Sequence, residues 1–230
     1  MTTLLTEAGD KRYRVMIAVP CGEDVKADFA LSLALMVGYS TYVRPDMELP
    51  LYFLKGTYLP RARAALVDEA MERQCTHILW LDSDMRFPKD TLLHLLSRDV
   101  PIVGANYATR QVPILPTALD FNLDPVFGGE GLVDVRHMGM GVMLTDIDVF
   151  QAIGKPYFAF GYNKAANDYA GEDVYFCERA RVNGYRIRMD AALSEQVEHC
   201  GALRYTMDHA RMTLDAAKAA GAVRGPEQPN

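Results

Sequence analysis

The stretch Ile78-Leu79-Trp80-Leu81-Asp82-Ser83-Asp84-Met85 constrains this chain more than any other. Four consecutive apolar residues read as a strand buried on both faces, the kind that lies inside a parallel sheet covered by helices. Two carboxylates follow at i and i+2, a spacing that in extended backbone points both the same way. Adjacent acids repel each other unless a cation lies between them. Hard divalent cations such as Mg2+ and Mn2+ take oxygen ligands of this kind and also bind phosphates. One Asp after a strand is an ordinary turn residue. A pair at the carboxyl end of such a strand, where open α/β sheets bind ligands, points to metal or phosphate chemistry.

The surrounding pattern supplies the rest of such a sheet. Residues 14–19 form an apolar run ended by Pro20-Cys21-Gly22, which predicts a first strand and its exit loop. A buried helix is expected over 29–37, a strand over 51–54, and a helix over 61–73 from its helical apolar spacing. Pro88 suits the first turn of a further helix carrying Leu92, Leu93, Leu95 and Leu96, and a strand follows over 102–105. This alternation implies a largely parallel sheet with right-handed crossovers. From 109 to 135 the chain is rich in Pro, Gly and Asp, which predicts irregular segments and short antiparallel strands. A strand is expected over 137–144, a helix capped by Asp146 and ending near Gly154, and a Tyr/Phe/Asn-rich loop over 157–169. A helix over 172–182 stopped by Asn183-Gly184, a strand over 186–189 and an amphipathic helix over 207–220 complete the reading. The expected organisation is a loose segment 1–12, one α/β domain over 13–205, a C-terminal helix over 206–224 and a disordered tail over 225–230.

With 230 residues, half of them hydrophobic, the chain is long enough for one well-filled core. Its net charge of -6 argues against a generic nucleic-acid binder. Apolar runs of about 18 or more residues do not occur, so no membrane span is expected. The first residues lack a signal-peptide pattern. Cys21, Cys75, Cys177 and Cys200 are scattered without a CxxC pair, which predicts reduced thiols and a cytoplasmic protein rather than a zinc ribbon.

Other candidates are weaker by themselves. Glu172 and Asp173 open a helix, where acids offset the positive end of the macrodipole; either is also placed to act as a general base if it faces the metal site. His199 gains meaning only as a third ligand beside Asp82 and Asp84. Arg61 and Arg63 suit either a solvated helix face or a diphosphate contact. Gly139-Met140-Gly141 suits close approach of backbone to a ligand or relief of strand packing. Arg179, Arg181, Arg186 and Arg188 form a local basic patch that suits a polyanionic acceptor or plain solvation.

Taken together, these pieces resemble a glycosyltransferase of the GT-A fold, in the family 2-like group found in bacteria and their phages. The resemblance runs from about Arg14 to His199. Val19-Pro20 matches the exit of the first strand, where the nucleotide sits. Leu79 to Asp84 resembles the DxD motif, which implies that Asp84, Asp82 and His199 hold Mn2+ or Mg2+ and that Asp82 and Ser83 lie beside the donor. The segment 137–150, with Gly139 and Gly141, resembles part of the sugar pocket. Gly171-Glu172-Asp173 matches the xED position, which implies Asp173 as the base of an inverting enzyme. The resemblance therefore implies transfer of a sugar from a nucleoside diphosphate, UDP foremost, to a hydroxyl acceptor. The acceptor stays open between a saccharide, a protein and a hydroxymethylated pyrimidine of phage DNA. Ala64 stands where small phage-associated members often carry Asn. A sugar nucleotidyltransferase would need a Gly-rich, basic loop after the first strand, where Pro20-Cys21-Gly22-Glu23-Asp24 is acidic instead, and two further classes compete. One is a nucleotide-sugar binding module without turnover. The other is a haloacid-dehalogenase-type phosphatase, whose motif continues with Gly and then Thr or Val where this chain has Met85-Arg86.

Overall fold

Strand β1 (Val15–Cys21) shows why these residues form a sheet. Its side chains alternate between two cores: Val15, Ile17 and Val19 enter one, and Met16 and Ala18 enter the other. The computed structural model describes residues 12–110, 113–163, 168–201 and 204–219. Residues 1–11 of the expected loose N-terminus and the expected tail 225–230 lie outside these. After β1 come helix α1 (Ala27–Val43), strand β2 (Leu51–Lys55), helix α2 (Leu59–Glu72) and strand β3 (His77–Leu81). A short strand β4 (Met85–Arg86), helix α3 (Thr91–Leu96) and strand β5 (Ile102–Gly104) follow. An irregular stretch leads to β6 (Leu132–Val135), β7 (Val142–Asp146), α4 (Ile147–Ile153) and the hairpin β8 (Gly161–Asn163) and β9 (Asp168–Ala170). The chain continues through α5 (Glu172–Val182), β10 (Ile187–Asp190), α6 (Ala191–Ser194), β11 (Glu198–Cys200), β12 (Arg204–Tyr205) and α7 (Met207–Ala219).

Among the described residues, seven strands form one sheet in the order β2-β1-β3-β7-β5-β10-β6. All but β7 and β6 run the same way, because β7 pairs antiparallel with β3 and β5, and β6 pairs antiparallel with β10. Helices α2, α4 and α5 cover one face and α1 and α3 the other. This is the expected α/β architecture with a mostly parallel sheet and an antiparallel addition. No described helix is long and apolar enough to cross a membrane.

Several local expectations need correction. Helix α1 is longer than 29–37 and is not buried: it sinks Phe29, Leu33 and Met36 into the sheet but leaves Leu31 and Leu35 exposed. Its outward face is apolar too, so its sequence hides its amphipathicity. Pro88 lies before α3, where its carbonyl accepts from Thr91 N at 3.2 Å. The strand expected over 137–144 begins only at Val142, because the preceding residues wrap over the Tyr107 ring. The expected loop 157–169 contains the β8–β9 hairpin. A second small sheet, β12-β11-β4, pairs residues just after Asp84 with residues around His199. The Asp146 cap on α4 is as expected, its Oδ1 accepting from Asp148 N at 2.9 Å.

Candidate active site

Strand β3 ends at Leu81, and the two acids do not share its extended backbone. Asp82 N donates to Gly141 O at 3.0 Å, and Met85 N donates back to Asp82 O at 3.1 Å, closing a turn. The turn is held from two further sides: Lys26 N reaches Ser83 O at 3.0 Å and Cys200 N reaches Asp84 O at 2.7 Å. Extended geometry would have aimed both carboxylates one way. The turn instead sends Asp82 toward α2 and α5, and Asp84 toward β11 and the segment after β5.

On the Asp82 side the organising residue is Arg63, which is 1% exposed. Its Nη2 donates to Asp82 Oδ1 at 2.8 Å and its Nε to Glu172 Oε1 at 3.2 Å. The guanidinium lies 5.5 Å from the Trp80 ring centroid, a cation–π contact. Burial works against its charge, but Asp82 and Glu172 outweigh it, and its pKa lies above the ordinary value. Nη1 is buried with no hydrogen-bond partner among the described residues. Arg63 therefore fastens the turn after β3 to the first residue of α5, and it does not lie on the solvated helix face that is one of the two expectations for it. Glu172 is buried, and burial pushes its pKa up, with Asp173's charge adding to the effect against the pull of Arg63.

Asp173 stands next to this clamp. Its Oδ1 accepts from Val174 N at 2.8 Å, folded back over Gly171 so closely that a Cβ there would lie 2.5 Å from it. Burial raises its pKa above the ordinary carboxylate value, and the charge of Asp82 adds to this against Val174 N–H and Arg63. Asp173 thus holds its proton more tightly than an ordinary carboxylate, beside a helix start and close enough to Asp82 to feel its charge.

On the Asp84 side, Oδ2 meets Arg110 Nη2 at 2.8 Å and Oδ1 meets His199 Nε2 at 3.4 Å. Burial would raise the Asp84 pKa, but His199 and Arg110 hold it below the ordinary value. His199 Nδ1 lies 3.0 Å from Ala108 O, a carbonyl that can only accept. The proton is therefore assigned to Nδ1, which in the neutral ring leaves the Nε2 lone pair facing a carboxylate oxygen. Two acceptors in that position call for a proton or a metal ion between them, and a backbone carbonyl behind the ring is the usual support of a metal-ligating His. The donor chemistry of Asp84 and His199 thus fits a divalent cation. Among the described residues no group of three or more His, Cys, Asp and Glu is placed to hold one alone. Asp82, expected to hold the cation together with Asp84 and His199, is turned to Arg63 instead.

Tyr107 joins the two sides and was not foreseen. It is buried, stands edge-on to His199 with ring centroids 5.4 Å apart, and its hydroxyl accepts from Gly141 N at 3.0 Å. Burial and the nearby charges of Asp82 and Asp173 push its pKa well up, so it stays a neutral phenol. Gly139 and Gly141 exist to admit it: a Cβ would meet the hydroxyl oxygen at 2.3 Å from Gly139, and the ring at 2.8 Å from Gly141. Of the other candidates, Pro20 is buried in β1 opposite Leu54, and Arg61 is exposed in the first turn of α2. The basic patch is largely spoken for. Arg179 donates to Ile153 O, Arg181 pairs with Glu178, and Arg186 and Arg188 share Asp134. Tyr107 and Arg110 both lie just past the end of β5, so the rule about strand ends that picked out Asp82 would have found them.

No known protein family matches this sequence, and no curated protein matches it. Solved structures do. A197 from STIV superposes with a TM-score of 0.60 at 16% identity, covering 85% of this chain and 91% of that one. GalNAc-T7, solved with UDP, GalNAc and Mn2+, superposes with a TM-score of 0.51 at 9% identity, covering 90% of this chain and 48% of that one. The fold is that of the GT-A glycosyltransferases.

Proposed function

We propose that the protein is a divalent-cation-dependent, inverting glycosyltransferase acting from a nucleoside diphosphate sugar, with UDP the first nucleotide to test, on a hydroxyl acceptor. The observation that carries this reading is the Arg63 bridge, which ties Asp82 at 2.8 Å to Glu172 at 3.2 Å. It brings the turn that would face the donor's phosphates against the helix start that carries the base. The GT-A fold and the UDP and Mn2+ in GalNAc-T7 support it.

In this reading Asp84 and His199 would hold Mn2+ or Mg2+, and such an ion would supply positive charge to offset the negative charge developing on the departing nucleoside diphosphate. Asp173 accepts the proton of the acceptor hydroxyl as its oxygen attacks the anomeric carbon, and the bond to the diphosphate breaks on the opposite side. Arg63 and Glu172 act as positioning residues that hold Asp82 and the start of α5. Arg61 and Ser83 line the approach of the donor.

The test is transfer from a panel of nucleoside diphosphate sugars with Mn2+ present, read by mass spectrometry on saccharide and hydroxymethylated-DNA acceptors. Asp173→Asn is expected to cut turnover by about 10²–10⁴-fold with its melting transition intact and its Mn2+-dependent UDP binding retained. Full turnover in that variant sinks the role of Asp173. UDP binding without turnover in the wild type supports a binding module instead.

A further inference from the structure

The geometry points to Arg110 as the residue that makes cation and nucleotide load together, an inference that rests on the reading of the site given above. Arg110 lies across the same turn that carries Asp84. Its Nη2 takes Asp84 Oδ2 at 2.8 Å, and its Nη1 donates to Cys200 O at 3.3 Å. The other carboxylate oxygen faces His199 Nε2 at 3.4 Å. Both oxygens of Asp84 are therefore engaged, one of them by a guanidinium.

A divalent cation held by Asp84 and His199 would bring two positive charges close to the Arg110 guanidinium, whose Nη2 lies 2.8 Å from Asp84 Oδ2. Water screens that repulsion only in part, because the Asp84 side chain is 19% exposed. Arg110 then has to leave Asp84 or find another anion. A diphosphate is that anion: the planar guanidinium fork matches phosphate oxygens bidentately. Arg110 can exchange these partners for others, its side chain 42% exposed on an irregular segment. Arg63, 1% exposed and bonded to two carboxylates, has no such freedom. Without nucleotide, Arg110 neutralises Asp84 and opposes the cation. With a nucleoside diphosphate present, Arg110 transfers to its phosphates and the opposition ends. Each ligand raises the affinity for the other, and the coupling is reciprocal.

The experiment is calorimetry, with electron paramagnetic resonance of Mn2+, on the full chain and on Arg110→Ala and Arg110→Lys. Mn2+ is titrated alone, then UDP into protein saturated with Mn2+, with GDP as the second nucleotide. Arg110→Ala is expected to bind Mn2+ alone about tenfold more tightly and UDP in the presence of Mn2+ about tenfold more weakly, a coupling within the usual range. Arg110→Lys keeps the charge without the fork and shows smaller shifts in the same two directions. Opposite shifts are the signature. If both affinities fall together, or neither moves, Arg110 is only a structural tie and the inference is overturned. Should Arg110→Ala not fold, Arg110→Lys decides by the same criterion. A wild-type chain that binds no Mn2+ with either nucleotide overturns this inference and the reading of the site together. That outcome is distinguishable because the failure is then not confined to the variants.

Discussion

Asp82 and Asp84 are separated by one serine, and each meets an arginine at 2.8 Å, yet the two pairs differ in kind. Arg63 is sealed, with a side-chain exposure of 2%, beneath the Trp80 ring and between two carboxylates. Arg110 is 42% exposed and shares Asp84 with a histidine. A buried pair stripped of one partner leaves an uncompensated charge out of water, whereas an exposed pair exchanges its partner for solvent at little cost. One motif thus holds a permanent fastening and an exchangeable one. The turn at Asp82–Met85 is what separates them.

The sharpest way to break this contrast is to cut both pairs and compare stability. Arg63→Met leaves Asp82 and Glu172 without their cation and is expected to cost about 3–5 kcal/mol. For a chain of this length that is a fall in Tm of about 6–20 °C. Asp84→Asn is expected to cost at most about 1 kcal/mol, because its pairs are partly exposed, while removing Mn2+ binding. Thermal melts and Mn2+ titration of the two variants check this. Equal losses of stability would show that the two sides are one structural unit.

A pH series separates the two sides without mutation. Burial raises Asp173 and Glu172 above their ordinary values of 3.8 and 4.5, while His199 and Arg110 hold Asp84 below 3.8 despite its burial. A raised folded pKa means the folded state binds the proton more tightly than the unfolded chain. Protonating Asp173 or Glu172 between the ordinary and raised values therefore stabilises the fold even as it occupies the proposed base. The lowered group does the reverse: Asp84 contributes stability above 3.8 that is lost as pH falls through its lower folded value. With a chelator present, activity-independent readouts suffice. As pH falls, carboxylate NMR is expected to show Asp173 and Glu172 taking up their protons before Asp84, and turnover in Mn2+ is expected to fall with an apparent pKa above 3.8. Coincident titration of Asp173 and Asp84 would remove the electrostatic distinction.

Much of this arrangement is legible in the sequence, for identifiable reasons. The apolar run 78–81 has one reading because strands buried on both faces read as near-continuous hydrophobic runs. Gly171-Glu172-Asp173 and the Asp146 cap are local signals and survive folding. The structure places His199 beside Asp84 through β4–β11 pairing, a contact across more than a hundred residues that only the family resemblance anticipated. What the sequence hides is non-local or conformational. Arg63 looks like a surface arginine until α2 packs it on Trp80. The glycines at 139 and 141 look like ligand contacts until Tyr107 fills their space. The divergence of Asp82 and Asp84 depends on a hydrogen bond to Gly141 O and on others from Lys26 N and Cys200 N, none of which is near in sequence.

The smallest expected effect tests whether the Asp173 side needs its exact seat. Gly171 has φ -66°, which alanine accepts without strain, and the nearest atom to an added Cβ is Asp173 Oδ1 at 2.5 Å. The far end of a side chain can swing aside, so Gly171→Ala should leave the melting temperature nearly unchanged. The swing pulls the carboxylate off Val174 N–H, and a shift approaching 1 Å in a catalytic group costs up to about 10²-fold in rate. A loss of about tenfold in kcat is expected, with Mn2+ and UDP affinities unaltered because the Asp84 side is untouched. Steady-state kinetics beside calorimetry reads both quantities. If nucleotide affinity falls along with kcat, the two sides communicate through α5, and the separation drawn between the arginines is too clean.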